Sequence, residues 1–248
     1  MADTVTNLEI EDNVITNANI TLSDLANSSV VTKIGRGISV INSDKVTIKD
    51  NTITGATAEG IYIENIGTGT NTVEGNTVSE MRVSADSNLE AGIFVRNNKD
   101  GAITITGNTV KDNNLTSGVG FPAARGTNST DGIEVNVCRG GVNLGSDAFT
   151  DGVAGACTTN ATLTAVITKN TVSNLQGGAD GIDANIGDNG RLNITVGGSN
   201  AAKNTVTGVG DEGFTLDAFG ANTQATAVIT HNTPVSYTHL TLPTRAVV

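Results

Sequence analysis

The stretch Val46–Gly55, VTIKDNTITG, decides how the chain folds. Val46 and Ile48 alternate with Thr47 and Lys49, the two-residue period of a strand with one buried face. Asn51 interrupts the alternation and Ile53 resumes it two residues later. The phrase therefore reads as strand, sharp corner, strand, with Val46 and Ile48 directed inward and Thr47 and Lys49 outward.

The same phrase returns along the chain as IEDNVI, VEGNTV, ITGNTV, ITKNTV, AAKNTV and ITHNTP. Its corner asparagines are Asn13, Asn51, Asn76, Asn108, Asn170, Asn204 and Asn232. A second phrase precedes most of them: RGISVIN from Arg36, EGIYIEN from Glu59, AGIFVRN from Ala91, DGIEVNV from Asp131, DGIDANI from Asp180 and EGFTLDA from Glu212. Here too apolar and polar residues alternate, so that Ile61 and Ile63 point inward and Tyr62 and Glu64 outward. One such unit cannot bury its own apolar face, whereas units stacked in register share a continuous core, as in solenoids.

Spacing narrows the kind of solenoid. The shortest interval, 25 residues from Asn51 to Asn76, suits a three-sided coil of short strands, and the longer intervals suit the same coil with loops inserted at its corners. Helical and leucine-rich repeats need Leu or Ala at helical spacing, which is missing. The expected fold is all-β: a three-sided parallel β-helix of about seven coils. The corner asparagines are expected to adopt the left-handed backbone conformation that Asn tolerates. At about 4.8 Å from coil to coil, their amides can hydrogen-bond up the stack as a ladder, where Asp would stack like charges.

The alternation of GIxVxN with VxIxxNTI resembles the right-handed parallel β-helix repeats of the pectin-lyase-like superfamily, over nearly all of residues 8–233. That resemblance implies the right-handed coil and leaves function open, because the superfamily includes polysaccharide lyases, hydrolases, epimerases, phage tailspikes and bacterial surface adhesins.

Composition agrees with strands and turns. The chain of 248 residues has 30 Gly, 3 Pro, no Trp, 3 % aromatics and a formal charge of −11. Such acidity disfavours nucleic acid and anionic membrane as partners, since phosphates are repelled. No run is apolar and long enough to cross a bilayer. Cys138 and Cys157 are the only cysteines. A disulfide between them would close a loop of about 20 residues, worth roughly 3 kcal/mol, and would mark an exported protein. It is favoured over two free thiols, and zinc is not expected without further Cys or His ligands.

Four segments depart from the repeat. Residues 139–164 read as a loop insertion within the fifth coil, and smaller corner loops are expected over 83–90 and 117–130. The close of the chain, PVSYTHLTLPTRAVV over 234–248, abandons the pattern. From Val235 to Thr244 it resembles a translated sequencing-library adaptor, so 234–248 is read as a non-native tail, and Tyr237 and His239 carry no functional argument. The β-helix domain is assigned to residues 1–233 and, with no capping signal at either end, is read as a fragment in which a missing signal peptide says nothing about export.

Outward residues of equivalent strands should form columns. Two places after the strand Gly stand Ser39, Tyr62, Phe94, Glu134, Asp183 and Thr215. Four places after stand Ile41, Glu64, Arg96, Asn136, Asn185 and Asp217. One place before stand Arg36, Glu59, Ala91, Asp131, Asp180 and Glu212. Tyr62, Phe94, Arg96, Glu134, Asp183 and Asp217 are the candidate glycan-facing surface. Glu134 and Asp183 would serve as acid and base or calcium ligands, with Arg96 holding a substrate carboxylate. Against this stands a solvated acidic face without chemistry. The polygalacturonase, alginate-epimerase and pectate-lyase signatures are missing, the Gly187–Gly190 stretch GDNG reads as a tight turn, and His231 is the sole His outside the tail. No catalytic residue, cofactor or metal is therefore assigned; calcium has no further support. The expected role is a rigid structural or adhesive segment of a secreted or cell-surface bacterial protein, stalk or passenger, meeting a host or neighbouring cell surface. The alternative is an enzyme or tailspike acting on an acidic polysaccharide.

Overall fold

The structure is a computed structural model and describes residues 5–16, 35–56, 59–81, 90–113, 130–138, 157, 159–175 and 179–235. Its strands follow one another around a tube. The first coil holds β1 (Val5–Glu11), β2 (Val14–Thr16) and β3 (Ile38–Ile41). The second holds β4 (Ser43–Lys49), β5 (Thr52–Thr54) and β6 (Ile61–Glu64), and the third β7 (Thr72–Glu74), β8 (Thr77–Ser79) and β9 (Glu90–Asn97). The fourth holds β10 (Gly101–Thr106), β11 (Thr109–Lys111) and β12 (Thr130–Val137), and the fifth β13 (Ala161–Thr168), β14 (Thr171–Ser173) and β15 (Ile182–Ile186). β16 (Gly190–Gly197), β17 (Thr205–Thr207) and β18 (Phe214–Ala218) form the sixth; β19 (Gln224–Thr230) and β20 (Thr233–Val235) begin the seventh.

Every third strand joins the same sheet. Face A is β1-β4-β7-β10-β13-β16-β19, face B is β2-β5-β8-β11-β14-β17-β20, and face C is β3-β6-β9-β12-β15-β18. All strand pairs are parallel, and Ile10, Ile48, Val73, Ile105, Ile167, Val196 and Ile229 form one inward column of face A; in the sixth coil Val196 fills the place ahead of the phrase AAKNTV, since residues 198–204 intervene before β17. The expected fold is therefore the observed one, a three-sided right-handed parallel β-helix. Its core is a single apolar cluster running from Ile38 to Leu216, built from the inward residues of all three faces.

The ladder spans all seven asparagines. At each step the Nδ2 of one Asn donates to the Oδ1 of the next at 2.9–3.0 Å, from Asn13 through to Asn232. The same Oδ1 accepts the backbone N–H of the preceding Asn. From Asn51 onward, each Nδ2 also reaches a carbonyl of the preceding coil's face A strand, such as Ile48 for Asn76 and Val73 for Asn108. Each buried amide is thus saturated, as burial of a polar group demands.

The left-handed residue is not the ladder Asn. It stands immediately before it, at Asp12, Asp50, Gly75, Gly107, Lys169 and His231, with φ of 53–67°. The physical reason is a division of labour. The ladder Asn must aim its amide along the stack, so the residue ahead of it takes the bend. GDNG does form a tight turn, closed by Gly190 N–H donating to Gly187 O.

Four segment boundaries move. β13 begins at Ala161, so the last four residues of the expected insertion 139–164 are strand, paired with β10 and β16. Glu90 and Thr130, placed in corner loops by the sequence reading, open β9 and β12. The expected tail enters the fold for two residues: Pro234 and Val235 continue β20 beside Val206 and Thr207, at a sheet edge where Pro is tolerated. The remaining parts of 83–90 and 117–130, residues 139–156, and the tail from 236 onward lie outside the described residues. Cys138 and Cys157 form a disulfide.

The strand Gly of the second phrase has a packing role. A Cβ built on Gly37, Gly60, Gly92, Gly132 or Gly181 would fall 2.3–2.6 Å from a methyl of Ile53, Val78, Val110, Val172 or Val206, each in the next coil. It would also meet the next glycine's carbonyl oxygen at 2.4–3.0 Å. Only hydrogen fits between the start of each face C strand from β3 to β15 and face B one coil on.

Candidate functional site

Face C carries the outward residues singled out in the sequence, and its register stacks them as expected. Ser39, Tyr62, Phe94, Glu134, Asp183 and Thr215 stand in one column. Ile41, Glu64, Arg96, Asn136, Asn185 and Asp217 stand in the next. The face is not the solvated surface that outward polar residues suggest. Tyr62, Glu64, Phe94, Glu134, Asn136, Asp183 and Asn185 are all buried, Glu134 to 1 % exposure and Asp183 to 8 %. Arg96 and Asp217 are half-buried.

The aromatic end closes on itself. Tyr62 and Phe94 stack with centroids 5.5 Å apart and planes 5° from parallel. The Arg36 guanidinium lies 3.5 Å above the Tyr62 ring, a cation–π contact, and its Nε bonds Glu59 Oε2 at 2.8 Å. The Tyr62 hydroxyl donates to Glu64 Oε2 at 2.6 Å. Burial, then that bond to Glu64 and its charge, holds the phenol protonated well above its ordinary range. Both rings are therefore used internally, and neither offers a free platform for a sugar in this arrangement.

The acidic end gathers Glu134 and Asp183 with a third carboxylate, Asp131. One oxygen from each lies within 4.8 Å of the others. Asn136 Nδ2 donates to Glu134 Oε1 at 2.8 Å, and Asn185 Nδ2 donates to Asp183 Oδ2. Asp131 lies one place before the strand Gly and accepts the Asp180 N–H at 2.8 Å through Oδ1. Its carboxyl is raised well above the usual carboxylate range by burial first, then by the charges of Glu134 and Asp183. A second acidic group continues up the same edge: Asp180 Oδ1 accepts the Glu212 N–H at 2.9 Å, and Asp180, Asp211 and Glu212 bring oxygens within 4.8 Å of one another. Asp180 is raised chiefly by burial. Glu212 is raised to about 7, first by a hydrogen bond with Asp211, then by burial and by Asp180.

Of the six candidates, then, Tyr62 joins Phe94, and Glu134 joins Asp183. Arg96 stands between Glu64 and Asn136 in register, and Asp217 belongs to neither acidic group. Asp131, Asn136 and Asn185 complete the cluster; the sequence reading placed them in the outward columns but did not choose them as candidates. Asn136 and Asn185 were legible in principle, since they stand two residues beyond Glu134 and Asp183 on the same side of their strands.

Three clustered carboxylates raise the question of calcium. Oxygen-rich cages suit that ion, but the two amides beside these carboxylates present N–H groups, the reverse of a cation's needs. Calcium would require both to turn round. As they stand, the residues fit carboxyls met by amide donors, with Asp131 raised toward its protonated form.

Four long stretches of chain begin or end on this face: those joining β2 to β3, β8 to β9 and β11 to β12 run from a face B strand to a face C strand, and the one joining β12 to β13 runs from face C to face A. Together with the parallel coil, the comparison with known families decides the relationship: the family described as right-handed β-helix region matches residues 2–130, just over half of the chain. The chain belongs to that family. No curated protein and no solved structure matches this β-helix.

Proposed function

We propose that this β-helix is a rigid segment of a secreted or cell-surface bacterial protein, and that face C with its bordering connections is the side through which it adheres to a host or neighbouring cell surface. The observation that carries this reading is the placement of the long connections. All four leave or rejoin the described strands at an edge of face C, whereas face A passes to face B through the short ladder corner in every coil but the sixth, where residues 198–204 intervene. Loops held on a rigid scaffold are where recognition residues concentrate. The ladder and the three parallel sheets supply the stiffness, and the Cys138–Cys157 disulfide favours an oxidising compartment. The test is binding of the purified chain to glycan arrays and to whole cells. Replacing residues 114–129 by the short Gly208–Gly213 corner should reduce binding at least tenfold while leaving the thermal midpoint within a few degrees. Equal binding by both proteins would refute the assignment.

A second reading has one observation in its favour, the Asp131–Glu134–Asp183 cluster, in which burial and neighbouring charges raise a carboxyl above its usual range. Perturbed carboxyls concentrate at catalytic sites, and a protonated acid beside carboxylates is the equipment for cleaving an acidic polysaccharide. Its burial weighs against it, because a glycan has to reach the oxygens. Release of reducing ends or unsaturated uronates, abolished by Glu134→Gln or Asp183→Asn, would establish it.

A further inference from the structure

The corner between faces A and B is the edge of the tube that face C does not touch. It carries none of the long connections, and all its residues in the second to sixth coils are described. Charges along it change sign in one direction. Asp50 stands immediately before its ladder Asn in the second coil, and Glu74 ends β7 in the third, two places before Asn76. The fourth coil has Gly107 in the corner and no charge beside it. The fifth and sixth have Lys169 and Lys203, each immediately before a ladder Asn. Glu74, Lys169 and Lys203 are exposed and enter no ion pair among the described residues. Asp50 has Lys49 beside it at 3.6 Å. The adjoining outward column of face B is uncharged, a threonine in each of these coils from Thr52 to Thr205.

This pattern is complementary to its own inverse. Turned end over end about Gly107, the corner sets Glu74 of one copy against Lys169 of the other, one coil from the axis, and Asp50 against Lys203, two coils from it. Each contact occurs twice. A parallel arrangement would set Glu74 against Glu74 and Lys169 against Lys169. We propose that two copies of this chain associate side by side and antiparallel along the ladder corner, about a two-fold axis at Gly107. Such a contact is isologous and closes at two copies. The axis leaves room for close approach, since a Cβ on Gly107 would meet nothing nearer than Gly75 N at 3.9 Å. The charged contacts span four coil steps, about 19 Å along the tube. A strip of that size falls short of the roughly 800 Å² per partner that a stable complex buries, and exposed ion pairs contribute little each. The pair is therefore transient, with charge fixing its orientation. Face C lies on the far side of both copies, so that under the adhesive reading the pair is bivalent; the association itself does not rest on that reading.

Sedimentation equilibrium of the full chain at low salt, up to about 1 mM, should show monomer in equilibrium with dimer, shifting to monomer as salt is added. Glu74→Lys and Lys169→Glu should each weaken association about tenfold, because each turns two attractions into repulsions. The double variant should recover the parent's association. Glu80 already sits at a corner with φ of 54°, so a glutamate suits the backbone of Lys169, and an unchanged circular dichroism spectrum checks the fold of each variant. A bifunctional thiol reagent should join copies of Thr109→Cys, beside the axis, to one another. Thr52→Cys should be joined only when mixed with Thr205→Cys. A monomer at every concentration, masses beyond two copies, association untouched by Lys169→Glu, no recovery in the double variant, or cross-linking of Thr52→Cys alone would each overturn the proposal. All of these are readings of mass, so they leave the binding test of face C undisturbed.

Discussion

Two columns climb this tube with the same coil-to-coil step and opposite chemistry. At the corner between faces A and B stand seven amides, and every interior one gives and receives along the stack. On face C stand Glu134 and Asp183, neighbours in register, with Asp131 close by. An amide carries donor and acceptor in one group, so a pile of them satisfies itself and lengthens without penalty. A carboxylate only accepts, so a pile of them needs donors or protons from elsewhere. Here donors come from Asn136 and Asn185, and burial with the neighbouring charges raises the Asp131 carboxyl toward its protonated form. The first column is explained by stability alone. The second lowers stability, which is why it is the better marker of function.

Exchanging the chemistries gives the largest effect. Asn108→Asp should destabilise the chain by about 3–5 kcal/mol, the range for an uncompensated buried charge. It removes the donor that serves Val73 O, Thr106 O and Asn170 Oδ1 together. Urea unfolding followed by circular dichroism would measure it, and a loss below about 1 kcal/mol would mean that the ladder is not the main support of that corner. Next is the covalent tie at the edge of face C. Replacing both Cys138 and Cys157 by Ala should lower stability by about 3 kcal/mol on the loop-closure estimate, read from the same denaturation curves. An unchanged midpoint would show that the strands alone hold that edge.

The acidic column should also reveal itself through pH. A carboxyl whose folded pKa is raised binds its proton more tightly in the native state, so stability is greatest below the ordinary carboxylate range and falls as pH rises through the folded value. Asp131, Asp180 and Glu212 are all raised, Glu212 to about 7. The thermal midpoint should therefore decline from the ordinary carboxylate range, about pH 4, through neutrality. Asp131→Asn should flatten that decline, whereas the ladder, being uncharged, contributes no slope. Smallest is a corner adjustment. Lys169→Gly should stabilise by about 0.5–1 kcal/mol, because a side chain at φ of 58° is strained. Gly75 and Gly107 already hold the same place two coils and one coil earlier.

The sequence displayed what repeats and hid what does not. The ladder and the inward Ile and Val columns were legible because each coil obeys the same packing constraint with the same residue. The left-handed residue was misplaced by one position, since Asp, Gly, Lys and His share that corner and no single letter marks it. The role of Asp131 was missed because only the register joins it to Asp183, in the next coil. Face C was expected to be wet because alternation separates inward from outward, and outward is not the same as exposed. Tyr62, Phe94 and Arg36 are what turn that face into a second interior layer.

The strand glycines bear on how such a chain can grow. A side chain of one coil presses into the hydrogen-sized gap left by the previous coil, five times along the tube. Each of these contacts acts as a calliper, fixing the tube's girth at one point per turn. A length change that respects the calliper has to bulge outside it, so the molecule can acquire new surface segments coil by coil while its bore stays constant.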